Sequence, residues 1–95
     1  MAAYVIADVE ITDPAKYEGY KKLTPDAVAK HGGRFIARGG QTATLEGNWR
    51  PGRVVIIEFP TFEQARNFYT SVEYTAARRA RAGAATFKMI VVAGA

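Results

Sequence analysis

Ninety-five residues suffice for one domain, since autonomous domains run to ~100–150 residues, and a hydrophobic fraction of 48% excludes intrinsic disorder. The absence of cysteine excludes disulfides, a thiol nucleophile and a thiolate metal site. The net charge of +4 is concentrated at Arg78, Arg79 and Arg81, closing an Ala-rich helical stretch, where cations complement the helix dipole. No aromatic-basic interleaving accompanies them, so no nucleic-acid partner is expected. No run approaches the ~20 apolar residues that span a bilayer. Met1–Ala7 enters a strand pattern without the basic and apolar regions of a leader. A cytoplasmic protein with no membrane partner is the expectation.

Residues 3–11, AYVIADVEI, alternate as a first strand: Val5, Ala7, Val9 and Ile11 share one face, and Tyr4, Ile6, Asp8 and Glu10 the other. Asp13 can cap a helix with Pro14 at its first position. Tyr17, Tyr20, Leu23, Ala27 and Val28 follow at helical spacing, and Pro25 is expected to kink or interrupt the helix after Thr24. Gly32-Gly33 ends it. Arg34–Arg38 reads as a second strand, with Gly39-Gly40 as a bulge if Gln41–Leu45 continues extended. Residues 47–52, GNWRPG, form a turn-rich loop.

Arg53–Phe59, RVVIIEF, is the most apolar strand and is expected to be central. Thr61 with Gln64 makes a capping box for a second helix with a stripe of Phe62, Ala65, Phe68 and Tyr69. Ser71 recaps the chain for a segment over Val72–Ala82, ended by Gly83, and Phe87–Ala93 is the last strand. The order β-α-β-β-α-β is that of a ferredoxin-like α+β domain over residues 1–95: a four-stranded antiparallel sheet with its helices on one face.

Val5, Val9, Phe35, Val55, Ile57, Phe59, Phe87, Met89 and Val91 fall on the face the helices cover. The other face still holds Tyr4, Ile6, Ile36, Val54, Ile56, Ile90 and Val92, more apolar surface than a monomer ordinarily exposes. Burying six aliphatic side chains at ~1.5–3 kcal/mol each is worth roughly 9–18 kcal/mol gross. Association costs roughly 4–15 kcal/mol. The pattern therefore predicts a homodimer through the helix-free sheet face, with a monomer that tolerates an oily sheet as the alternative.

Five charges lie on that helix-free face: Asp8, Arg34, Arg38, Glu58 and Lys88. With the first and third strands as central, parallel neighbours, Asp8 and Glu58 come to similar height, and Arg34 or Arg38 reaches Glu58. Buried charges need partners or shifted pKa values, so Asp8, Glu58 and Arg38 form a candidate acid–base site or anion clamp. The alternative is an ion-pair network that only sets the dimer interface. His31, the only histidine, suits a general base or a simple helix-end contact. Trp49 lines a ligand site or caps the assembly. Tyr69 and Tyr74 present hydroxyls to a pocket or pack in the core. Ser71 has no base in its sequence neighbourhood and reads better as a cap than as a nucleophile. A metal site lacks ligands, and no phosphate-loop pattern exists.

The segments AYVIADVEITDP, GGRFIARGG, LEGNWRPGRVVIIEFP and FYTSVEY with its basic helix together resemble the domain-of-unknown-function family 1330, across essentially the whole chain. The resemblance implies a dimeric α+β barrel. Relatives in that superfamily include cofactor-free monooxygenases of aromatic molecules, muconolactone-type isomerases and haem-binding branches. Shared segments carry Arg38, Gly39, Gly40, Trp49, Glu58, Tyr69, Ser71 and Tyr74, to which no role is attached. His31 is the only conventional strong axial ligand for haem and stands at a helix terminus, so no cofactor is expected. The combined reading is a small homodimer that binds or converts a small anionic or aromatic molecule. Arg38, Glu58 and Asp8 act on its polar group, and Arg34, Trp49, Tyr69, Ser71, Tyr74 and His31 surround it. A non-catalytic dimer is the alternative.

Overall fold

Side-chain alternation produces the strands where the sequence places them. A computed structural model covers Met1–Ala95. Its elements are β1 (Ala3–Ile11), α1 (Pro14–Lys30), β2 (Arg34–Arg38), β3 (Arg53–Phe59), α2 (Phe62–Thr70), α3 (Val72–Ala80) and β4 (Ala85–Ala93). The sheet order is β2-β3-β1-β4 and every pairing is antiparallel. The α+β, ferredoxin-like architecture is therefore as the pattern predicts, except in one respect. The central strands β1 and β3 run antiparallel, not parallel. The helical crossover makes β1 and β2 parallel, and β3 returns from β2 to slot between them, opposed to both.

The helices start at the expected caps. Asp13 Oδ1 accepts from the Lys16 N–H at 3.1 Å, Thr61 Oγ1 from the Gln64 N–H at 3.1 Å, and Ser71 Oγ from the Tyr74 N–H at 3.1 Å. Pro25 does not interrupt α1, which runs unbroken through it. Tyr17 and Tyr20 before the proline and Ala27 and Val28 after it are all buried on the same side, so packing carries the helix across the missing N–H. Thr24 takes the buried place expected of Leu23; its hydroxyl donates to the Tyr20 carbonyl at 2.7 Å, and Leu23 faces out. Phe62 and Tyr69 are exposed as well, leaving Ala65 and Phe68 as the buried stripe of α2.

Aromatic rings join the layers. Phe68 lies 5.1 Å from Phe59 of the sheet and 4.3 Å from Tyr74 of α3, and Tyr20 of α1 lies 5.5 Å from Phe87. The Cα trace measures 32 × 30 × 17 Å, and its short dimension holds just one helix layer on one sheet. The opposite sheet face carries Ile36, Ile90 and Val92 in exposed positions.

One irregularity moves a candidate residue. A bulge opens between Phe35 and Ala37, where Phe35 pairs with Ile57 but Ala37 with Ile56 and Arg38 with Val55. Arg38 thereby shares the helix-covered side with Val55. The bulge lies within β2 and not at Gly39-Gly40, and residues 41–45 do not extend the strand. Gly39 instead turns the chain at φ 72°, and a Cβ there would collide with the Arg53 guanidinium.

Phe68→Ala should lower unfolding stability by about 3–5 kcal/mol, because Phe68 is wholly buried between two rings, while Leu23→Ala should change it by less than about 0.5 kcal/mol. Urea denaturation followed by circular dichroism measures both.

Candidate functional site

Small Ala65 on α2 and the edge position of β4 leave a groove between that helix and the sheet, of about 560 Å³. The volume suits a small organic molecule. Val5, Ala65, Phe87, Met89 and Val91 form its walls, Tyr69 and Thr70 bring hydroxyl groups, and Arg66 and Arg81 supply its only charges. Ile90, from the bare sheet face, forms a lip where the groove passes over the β4 edge. Arg81 closes α3 and turns back, placing its guanidinium carbon 3.6 Å from the Phe87 ring centre and 5.3 Å from that of Tyr20. Arg78 covers Tyr69 at 4.3 Å. The Nε atoms of Arg78 and Arg81 are buried without hydrogen-bond partners.

A second, narrower pocket of about 30 Å³ lies under α1, sharing Phe87 and Met89 with the groove. Tyr17, Tyr20, Thr24 and Tyr74 line it, and its charged residues are Lys21, Arg38 and Arg53. The Tyr20 and Tyr74 hydroxyls lie 2.6 Å apart, and Tyr74 also donates to Met89 Sδ at 3.8 Å. Burial, reinforced by the neighbouring Tyr74, pushes the Tyr20 hydroxyl far above its ordinary range. Burial raises Tyr17 too, against the pull of Arg53. These phenols are hydrogen-bond donors at neutral pH, not bases. Neither concavity is lined by a carboxylate.

The bare face carries a third, polar concavity of about 240 Å³ around Asp8, Trp49 and Lys88. Asp8 accepts from the Trp49 indole N–H at 2.9 Å and from the Gly52 backbone N–H at 2.9 Å. These bonds, Trp49 first, and the charge of Lys88 hold its carboxyl below the usual range. Asp8 thus pegs the long β2–β3 connection onto β1. Gly52 is needed there, because a Cβ would meet the Val9 carbonyl oxygen.

A model of the family described as "Domain of unknown function (DUF1330)" matches residues 2–95. The chain belongs to that family. No functionally curated protein matches it. A Rhodopseudomonas palustris protein of unknown function is similar in structure, with TM-score 0.76 and 17% identity over 99% of this chain and 82% of that one. SnoaB from Streptomyces nogalater, a cofactor-independent oxygenase, gives 0.62 and 14% over 99% and 92%. A dimeric ferredoxin-like protein of unknown function from Bacteroides fragilis gives 0.64 and 12% over 98% and 96%. At these identities the likeness is one of fold.

The DUF1330 chain disperses the residues expected to act together. Asp8 pairs with Val54 and Lys88, whereas Glu58 pairs with Tyr4 at the other end of β1. Four residues of strand separate the two carboxylates, about 13 Å. Arg34 reaches Glu58, Nε to Oε1 at 2.8 Å, as one of the two expected arginines. Arg38 does not, because the bulge turns it to the helix side, where its guanidinium carbon lies 4.3 Å from the Phe35 ring centre. Trp49 stands with Asp8, Tyr69 on the groove and Tyr74 at the α1 pocket. Ser71 is occupied with capping, its hydroxyl donating to the Phe68 carbonyl at 2.7 Å. His31 lies elsewhere, its Nε2 3.0 Å from Glu73 Oε1, while Lys30 Nζ holds Glu73 Oε2 at 3.0 Å.

Arg53, Arg66, Arg81, Lys21, Tyr17 and Thr70 are among the lining residues that pattern reading did not assign to a site. Arg53 had a legible signal: it shares the inward parity of Val55, Ile57 and Phe59 on a strand otherwise apolar on that face. Arg81 and Arg66 had none, because their positions depend on how α2 and α3 lie over β4.

The bonds to His31 and then Lys30 hold the Glu73 carboxyl down, from an ordinary 4.5 to about 2. A depressed carboxyl stabilises the fold above its unfolded pKa, and that contribution fades as pH falls through the folded one. The melting-temperature gap between the native chain and Glu73→Gln should close as pH falls from 4.5 to about 2. Thermal melts across that range measure it.

Proposed function

We propose that this protein binds, and in a catalytic context converts, a small organic anion with an apolar or aromatic body, seated in the groove between α2 and β4. The observation carrying the reading is the pairing of apolar walls with Arg66 and Arg81 and no carboxylate. The body packs against Phe87, Met89 and Val91, and its acidic group faces Arg81, a guanidinium already fixed against an aromatic ring. Tyr69 and Thr70 at the rim orient a polar substituent. The fold-level likeness to SnoaB, a cofactor-independent oxygenase, supports conversion without a cofactor.

The same reading pairs two copies through the bare sheet face. Ile36, Ile90 and Val92 are exposed there beside Ile6, Val54 and Ile56, an apolar surface of the kind a second subunit covers. The description of the similar Bacteroides fragilis protein as dimeric supports this assembly. In it, Asp8 with Lys88 and Arg34 with Glu58 serve to set the register between copies, and the partner sheet completes the lip at Ile90.

A series of aromatic carboxylates such as benzoate and salicylate should raise the melting temperature in a saturable way, and Arg81→Gln should weaken that binding about tenfold or more. Failure of every apolar-bodied anion to stabilise the protein overturns the groove reading. Sedimentation at micromolar concentration should show a dimer for the native chain and a folded monomer for Ile56→Glu, whose carboxylate would face the partner away from the groove. A native chain that sediments as a monomer overturns the assembly.

A further inference from the structure

The narrow pocket under α1 holds three cations with no acid among its lining residues, and that imbalance asks for a counter-ion. Lys21 lies one turn after Tyr17 on α1; Arg53 opens β3; Arg38 arrives from β2 only because the bulge turns it inward. Arg38 and Arg53 are close neighbours: Arg38 pairs with Val55, the Gly39 N–H donates to the Val54 carbonyl at 2.8 Å, and the Arg53 guanidinium lies on Gly39. Neither arginine is in an ion pair; Lys21 reaches only Glu18, at 3.4 Å and outside the pocket. The Arg53 Nε is buried and has no hydrogen-bond partner, so its guanidinium is partly desolvated with nothing in the chain to compensate it.

A hydroxyl stands with these cations. Tyr17 is largely buried, and its hydroxyl, which still meets solvent, takes part in no hydrogen bond within the protein, whereas the hydroxyls of Tyr20 and Tyr74 are paired with each other. We infer that the pocket is a binding site for a small oxyanion, a carboxylate or phosphate group, held by Arg38, Arg53 and Lys21 together with the Tyr17 hydroxyl. A planar guanidinium pair matches oxyanion geometry, and the phenol adds a hydrogen-bond donor that no acceptor of the chain takes up. The site is separate from the groove and does not depend on what the groove binds.

Acetate and inorganic phosphate, each titrated at constant ionic strength against chloride, test it by thermal shift and calorimetry. At least one should bind saturably. Arg53→Gln should weaken that binding about tenfold or more, and Arg53→Lys should recover part of it. Tyr17→Phe should leave the anion-free melting temperature unchanged, since no bond within the chain is lost, while reducing the stabilisation by the anion. Lys22→Gln, the same charge change at an exposed neighbouring position, should bind as the native chain does. Absence of saturable binding overturns the inference, as does equal weakening by Lys22→Gln and Arg53→Gln. Binding that survives Arg53→Gln but is lost in Arg81→Gln places the anion in the groove and also overturns it. Should Arg53→Gln not fold, Tyr17→Phe with Arg53→Lys decides the matter.

Discussion

The helices are fastened to the sheet by a run of aromatic rings, and the rest of the molecule follows from where that run lies. Phe59 projects from β3 onto Phe68 of α2, Phe68 stacks on Tyr74 of α3, and the Tyr74 hydroxyl meets that of Tyr20 on α1. Three helices are thus tied to one sheet face by contacts whose energy comes from ring burial and one shielded hydroxyl pair. The run leaves gaps on either side of it: the groove along β4, and the narrow pocket beneath α1.

Charge is partitioned between the two sides of the sheet. The concavities on the helix side are lined by cations alone, with Arg66 and Arg81 on the groove and Lys21, Arg38 and Arg53 at the α1 pocket. The carboxylates Asp8, Glu10 and Glu58 stand on the bare side, where Asp8 anchors the β2–β3 connection and Glu58 pairs with Arg34. The proposed anion recognition falls on the first side and the proposed contact between copies on the second. A single bulge in β2 decides to which of them Arg38 belongs.

Much of the fold was legible because its causes are local. Asp13, Thr61 and Ser71 cap helices with their own side chains, and the period-two alternation in AYVIADVEI and RVVIIEF separates the sheet faces before any strand is paired. Thr24 and Leu23 show where this reading fails. Both fit a helical stripe within a residue, and only the lie of α1 over its neighbours selects Thr24.

The candidate site was legible in kind but not in arrangement. Two oily sheet faces, one of them interrupted by charges, are visible in the residue order alone, since parity along a strand does not depend on what the strand meets. Which charges meet is a property of register and strand direction. Tertiary structure alone set the register that pairs Asp8 with Val54 and Glu58 with Tyr4, parting the two carboxylates, and inserted the bulge that carries Arg38 across the sheet. Both choices are made by pairing between segments distant in sequence, where a shift of one residue exchanges the faces and no short stretch of chain records the outcome.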